Sequence, residues 1–138
     1  MTITIPPDYQ PTEKEPFMND VMLEYFRRKL VFWRDSLLRD SSQTLQNLQE
    51  PESWSADQSD RAMAETDRSI ELRTRDRARK LIQKIDDALQ RIEDGNYGYC
   101  IDTGEPIGVK RLEARPIATL GLEAQERHER LEKTKRDN

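Results

Sequence analysis

Apolar residues recur every three or four positions along two long stretches of this chain. In the first they are Leu23, Phe26, Leu30, Trp33 and Leu37; in the second they are Ala78, Ile82, Ile85, Leu89 and Ile92. Each set makes one stripe of an amphipathic helix, and the alternation of threes and fours is the seam of a coiled coil. The two stripes are mirror images. Trp33 pairs with Ile82, Leu30 with Ile85, Phe26 with Leu89, Leu23 with Ile92 and Leu37 with Ala78, and in every pair the residue numbers add to about 115. The fold-back point therefore falls between Asp57 and Gln58. The pattern predicts an antiparallel hairpin of two long helices with residues 54–62 at its tip.

Punctuation sets the ends of these elements. Residues 1–18 carry Pro6, Pro7, Pro11 and Pro16, a density that predicts extended or disordered chain. Asn19 is a good N-cap and Asp20 suits the first turn. Pro51 stops the first helix near Gln49, so about 30 residues at ~1.5 Å each give an arm of ~45 Å. The seam fails after Leu37, where Asp40 and Thr44 come next and mirror Arg75 and Glu71. Polar layers are expected there, with the apolar stripe resuming at Leu45 and Leu48. The second helix is predicted from about Asp57 to Glu93, ahead of the stop signal Gly95-Asn96.

Beyond it, short aromatic and β-branched runs around Asp102-Thr103-Gly104 predict a small β-hairpin. Val109 to Ala114 reads as a helical turn closed before Pro116, and Glu123 to Lys135 as a polar C-terminal helix. The expected architecture is mainly α. It has an extended segment over residues 1–18, a coiled-coil hairpin over 19–93, and a small globular domain with a C-terminal helix over 94–138. Candidate core residues for that domain are Tyr97, Tyr99, Ile101, Ile107, Leu112 and Leu120.

Composition narrows the function. With 34% hydrophobic and 36% charged residues the chain suits a coiled coil whose surface is mostly wet. A formal charge of −4 argues against an electrostatic DNA binder. The longest apolar run, Leu30 to Trp33, is too short to span a membrane, and Met-Thr-Ile-Thr-Ile-Pro-Pro does not read as a signal peptide. Cys100 is the only cysteine, so no internal disulfide is possible and a cytoplasmic protein is expected. No nucleophilic triad, phosphate loop or glycine fingerprint is present, and no enzyme is expected. Because each helix already has its partner within one chain, a monomer is expected rather than a dimerisation module.

Two groups of residues carry candidate chemistry. Asp57 reads as an N-cap, with Asp60 three residues on where an acid favours the helix dipole; the same carboxylates could meet a metal-bearing active site in a partner. Trp54 either packs on the tip loop or touches that partner. Arg73, Arg77, Lys84 and Arg91 form one stripe of the second helix, with Leu81 between them. Such a stripe is ordinarily a solvated face, yet Arg73 to Lys80 holds five basic residues against one acid in an acidic chain. Guanidinium and ammonium groups on one face can grip phosphates.

Several motifs, in order, carry a resemblance. They are Asp57-x-x-Asp60-x-Ala62, Glu71-Leu72-Arg73-Thr74-Arg75-Asp76-Arg77 with Arg79-Lys80-Leu81-Ile82, Arg91-Ile92-Glu93-Asp94-Gly95-Asn96-Tyr97-Gly98-Tyr99-Cys100, and Arg111-Leu112-Glu113-Ala114-Arg115-Pro116. Over roughly residues 9–135 the chain resembles the DksA/TraR family of bacterial transcription regulators. The resemblance implies a partner, RNA polymerase, whose secondary channel the tip enters toward the catalytic centre, with Asp57, Asp60 and Ala62 acting there. It implies that promoter open complexes are destabilised or remodelled without specific DNA contact. Ribosomal RNA promoters would be repressed and some amino-acid biosynthesis promoters activated, in the stringent response. Arg77, Leu81, Lys84 and Arg115 match a site for the effector ppGpp at the polymerase interface, while Gln125 stands where a lysine is expected. A Gre-like factor, using the tip acids to hold magnesium for transcript cleavage, is the rival reading; the Asp-x-x-Asp-x-Ala pattern favours the DksA type. The family usually carries a four-cysteine zinc finger. Here Cys100 holds the first ligand position and Thr103, Gly121 and Ala124 hold the other three. Zinc needs four Cys or His donors, and His128, the only histidine, cannot complete the set. The resemblance is therefore to a zinc-independent branch, and no metal cofactor is expected.

Overall fold

A computed structural model describes residues 3–49 and 58–137, with side chains for 3–41 and 61–135. It contains four helices among the described residues: α1 (Asp20–Gln49), α2 (Gln58–Asp94), α3 (Val109–Ala114) and α4 (Leu122–Asp137). None is long and apolar enough to cross a membrane. Asp57, Trp54 and the rest of 50–57 lie outside the described residues, as do the side chains of Thr44, Leu45, Leu48 and Asp60.

Local chemistry sets the helix ends where the pattern predicted. The Asn19 side chain accepts the Met22 N–H at 3.0 Å, capping α1. At the other end of α2, Gly95 takes φ +83°. That left-handed residue lets its own N–H reach Ile92 O and the Asn96 N–H reach Arg91 O, at 3.2 and 3.0 Å. This doubled pattern satisfies carbonyls that a helix end leaves open.

The chain divides into two compact units, residues 1–30 with 87–138, and residues 31–86. In the first, α1 buries Met22, Phe26 and Leu30 on one stripe. Around them the unit buries Ala88, Tyr97, Ile107, Val109, Leu112, Ile117, Ala118 and Ala124. Phe26 and Tyr97, both fully buried, meet with ring centroids 5.8 Å apart, and each such side chain contributes about 1.5–3 kcal/mol by leaving water. In the second unit Ala78 and Ile85 are buried, and Arg34 on α1 bonds Asp86 on α2 at 2.7 Å. That pair is solvated and contributes little; the apolar seam carries the stability.

Three expectations need correction. The proline-rich N-terminal segment is neither free nor disordered. Tyr9 packs edge-on against Tyr25 with centroids at 5.8 Å, Phe17 against Tyr99 at 5.4 Å, and Ile3 O accepts from Arg28. Proline fixed the backbone, and the aromatic side chains anchor it. The β-hairpin reduces to one antiparallel bridge, Tyr99 to Pro106. Gly98 at φ +93° leaves the extended region on one side, and Pro106 has no N–H to donate on the other. Ile101, expected in the core, is 67% exposed. The backbone turns over 101–103, so the period-two alternation that would have pointed it inward is broken.

Gly98 allows a direct test. A Cβ there would lie 3.0 Å from Met18 Cε, and φ +93° is strained for any side chain. Gly98→Ala is expected to cost about 1–3 kcal/mol, read as a lower urea midpoint at unchanged slope; an unaltered midpoint would contradict it.

Candidate functional site

The four positions at which the family usually carries zinc ligands all fall in the first unit, and each is filled differently. Cys100 is buried. The Thr103 hydroxyl and the backbone N–H groups of Gly121, Thr103 and Asp102 lie around its sulfur. Ala124, near the start of α4, is buried at 2% exposure. The Cys100 and Thr103 backbones are held by the turn, where Cys100 N–H donates to Glu105 O and Gly104 N–H to Cys100 O, both at 2.8 Å. Desolvation by burial pushes the thiol up. Those polar neighbours, Thr103 foremost, more than offset it and bring the group from near 9 down to about 7.

These residues do not fit structural zinc. One sulfur is present, the Thr103 hydroxyl accepts from the Glu105 N–H at 3.3 Å, and Gly121 and Ala124 carry no ligand atom. His128 is engaged elsewhere, its Nε2 lying 2.7 Å from Asp102 Oδ2. That pair ties α4 to the turn after Cys100, a role the sequence reading missed because it weighed His128 only as a ligand.

The proposed nucleotide residues fall in both units. In the second, Arg77, Leu81 and Lys84 follow one stripe of α2, with Arg77 and Lys84 exposed and Leu81 half-buried between them. Arg73 is exposed as well, whereas Arg91, expected on the same stripe, is half-buried with its Nη2 covered and unpaired. Arg115 lies in the first unit, exposed, as the C-cap of α3. Gln125 is half-buried and donates to Glu129 at 3.2 Å. Of the tip residues, Asp57 lies outside the described residues. Asp60 is the third residue of α2, its side chain undescribed, and Ala62 is exposed.

Arg115 stands on a tightly held segment. Its N–H donates to Arg111 O at 2.8 Å and its carbonyl accepts from Ala118 at 3.0 Å. On one side Glu113 is gripped from α1. Lys29 Nζ donates to its backbone carbonyl at 2.9 Å and also to its carboxylate. Tyr25, one turn before Lys29, lies beside the same carboxylate; burial first and that carboxylate second push the phenol up to about 12. On the other side the buried Tyr97 hydroxyl donates to Pro116 O at 2.7 Å.

The Cys100 geometry has a pH consequence. The folded group lies below the unfolded one, so the stabilisation is fully present above about pH 9 and is lost as pH falls through about 7. Wild type should therefore gain melting temperature over Cys100→Ala between pH 6.5 and pH 9. A difference independent of pH would refute the lowered thiol.

Comparison with known proteins agrees with the motifs. A model of the N-terminal domain of DnaK suppressor protein DksA matches residues 22–92, and one of the prokaryotic dksA/traR C4-type zinc finger matches residues 95–130. The RNA polymerase-binding transcription factor DksA of Caulobacter vibrioides (strain NA1000 / CB15N) is 62% identical over 95% of this chain and 92% of its own length. The protein of that name in Escherichia coli (strain K12) is 44% identical over 83% and 76%. Among solved structures, transcription factor DksA2 from Pseudomonas aeruginosa superimposes with a TM-score of 0.78 at 41% identity, covering 85% of this chain and 90% of that one. With both halves matched and the residue pattern shared along nearly its whole length, this chain belongs to the DksA/TraR family.

Proposed function

We propose that this chain is a cytoplasmic, monomeric regulator of transcription initiation that binds bacterial RNA polymerase directly. The observation that carries the reading is its 62% identity, along almost the whole chain, with an RNA polymerase-binding transcription factor. The coiled-coil hairpin places its tip, residues 54–62, in the secondary channel, and Asp57, Asp60 and Ala62 act near the catalytic centre. The factor works by contact and not by turnover. A carboxylate near a metal-bearing centre changes the local field without any bond being made, which suits a modulator of open-complex stability. The effector ppGpp is gripped by Arg77, Lys84 and Arg115 with Leu81 as an apolar neighbour, since fixed cations in a partly dry interface bind phosphate strongly. DNA is not read by sequence; an overall charge of −4 does not favour it.

The tip is tested by Asp60→Asn, which keeps size and hydrogen bonding and removes charge. As the third residue of α2 it should cost only the dipole contribution, roughly 0.3–1 kcal/mol. The variant should still bind polymerase yet lose most of its inhibition of a sensitive promoter. Full inhibition by bound Asp60→Asn would show that the acid serves only to cap the helix.

The globular part is proposed to fold without zinc, because only Cys100 offers a ligand at the four positions. Metal analysis of purified protein should find well under one zinc per chain, and a chelator should leave the melting curve in place. Stoichiometric zinc would overturn this.

A further inference from the structure

We propose that Lys29 is a positioning residue for Arg115, setting the guanidinium where it meets the phosphates of ppGpp. The inference rests on the reading of Arg115 as a nucleotide contact and adds a residue that no motif singled out. Arg115 is exposed, so its aim depends on how firmly its backbone is fixed. Two clamps flank it. Tyr97 holds Pro116 on the C-terminal side at 2.7 Å. Lys29 holds Glu113 on the N-terminal side through both backbone carbonyl and carboxylate.

The Lys29 ammonium is unusually well placed for this task. It sits 5.9 Å from the centre of the Tyr25 ring, and the Tyr25 hydroxyl lies beside the same carboxylate. Tyr25 and Lys29 lie four residues apart on one face of α1, so a single helix turn grips both the main chain and the side chain of Glu113. A bond to a backbone carbonyl fixes the path of the chain in a way that a surface ion pair alone does not. Since α3 is only six residues long, releasing its last turn would let the Arg115 backbone shift. Shifts on the order of 1 Å in a positioning element weaken recognition disproportionately.

The test uses the full-length protein with RNA polymerase, titrating ppGpp at saturating protein while polymerase binding is measured without nucleotide. Lys29→Met keeps the stem over Tyr25 and removes the donor. It should raise the half-maximal ppGpp concentration roughly three- to tenfold, with nucleotide-free binding unchanged and Lys29→Arg close to wild type. In an Arg115→Ala background the same substitution should add nothing, because its effect passes through Arg115. Glu113→Gln, which keeps an acceptor for Tyr25, should weaken the response in the same direction and covers the case in which Lys29→Met fails to fold. An unchanged ppGpp response in Lys29→Met, beside a lost one in Arg115→Ala, overturns the positioning role and leaves the nucleotide reading standing. Equal losses in both backgrounds also overturn it, as a general structural effect. An unaltered response in Arg115→Ala removes the nucleotide contact itself, and the positioning role with it.

Discussion

Tyr97 is the side chain on which the first unit turns. Its ring packs against Phe26 of α1 in the core, and its hydroxyl reaches Pro116 O beyond α3. An aromatic group of this size buries a large area, but its polar end must find a partner once water is excluded. Here the partner is a carbonyl next to Arg115, and proline cannot offer that stretch an N–H in return. One residue therefore links the helix base, the hydrophobic core and the segment that presents a surface cation. Burial holds the phenol well above its usual range, so it stays a donor at any ordinary pH.

On the proposal that this part folds without zinc, the work of a metal has to be divided. A structural zinc ion closes a loop and supplies much of the folding free energy at once. In this chain the Cys100 N–H and carbonyl close the loop on Glu105 O and the Gly104 N–H, Ala124 fills volume, and His128 with Asp102 ties α4 to the turn. None of these alone matches a metal bond. Phe26, Leu30, Tyr97, Leu112 and Ile117 add apolar burial around them. The unit also gains the N-terminal segment, whose Tyr9 and Phe17 cover Tyr25 and Tyr99 edge-on. A small domain can dispense with a metal when such increments accumulate.

How far the sequence disclosed this depends on the range of the forces involved. Helix periodicity and end signals are local, so Asn19, Gly95 and the Val109–Ala114 turn were legible, and Phe26, Leu30, Ala78 and Ile85 are buried on the predicted seam, whereas Met22 and Ala88, also buried, lie beside it. The loss of three metal ligands was equally legible, because ligand chemistry is a property of single residues. What escaped were pairings fixed only by tertiary packing. The proline count concealed the aromatic anchors of the N-terminal segment, and nothing near Lys29 in the chain announces Glu113, 84 residues away. Ile101 looked like core because it is β-branched, yet its N–H is drawn to Thr119 O within a turn and its side chain faces water.

The contrast between Arg91 and Arg77 shows why a stripe of charge cannot be read from spacing alone. Both lie on the predicted basic face of α2, fourteen residues apart. Arg91 falls in the unit that holds the core, where Asn96 and Tyr97 fold back to its carbonyl and part of its guanidinium is covered. Its charge lies close enough to Tyr97 to favour the phenolate slightly, against the larger effect of burial. Arg77 stays fully in solvent, where ordering the side chain on a ligand costs entropy but little desolvation. A surface cation of this kind contributes little to folding and is available for a phosphate, whereas a half-buried one is already committed to the structure around it. The residues that remain useful for recognition on α2 are thus the ones that the core does not claim.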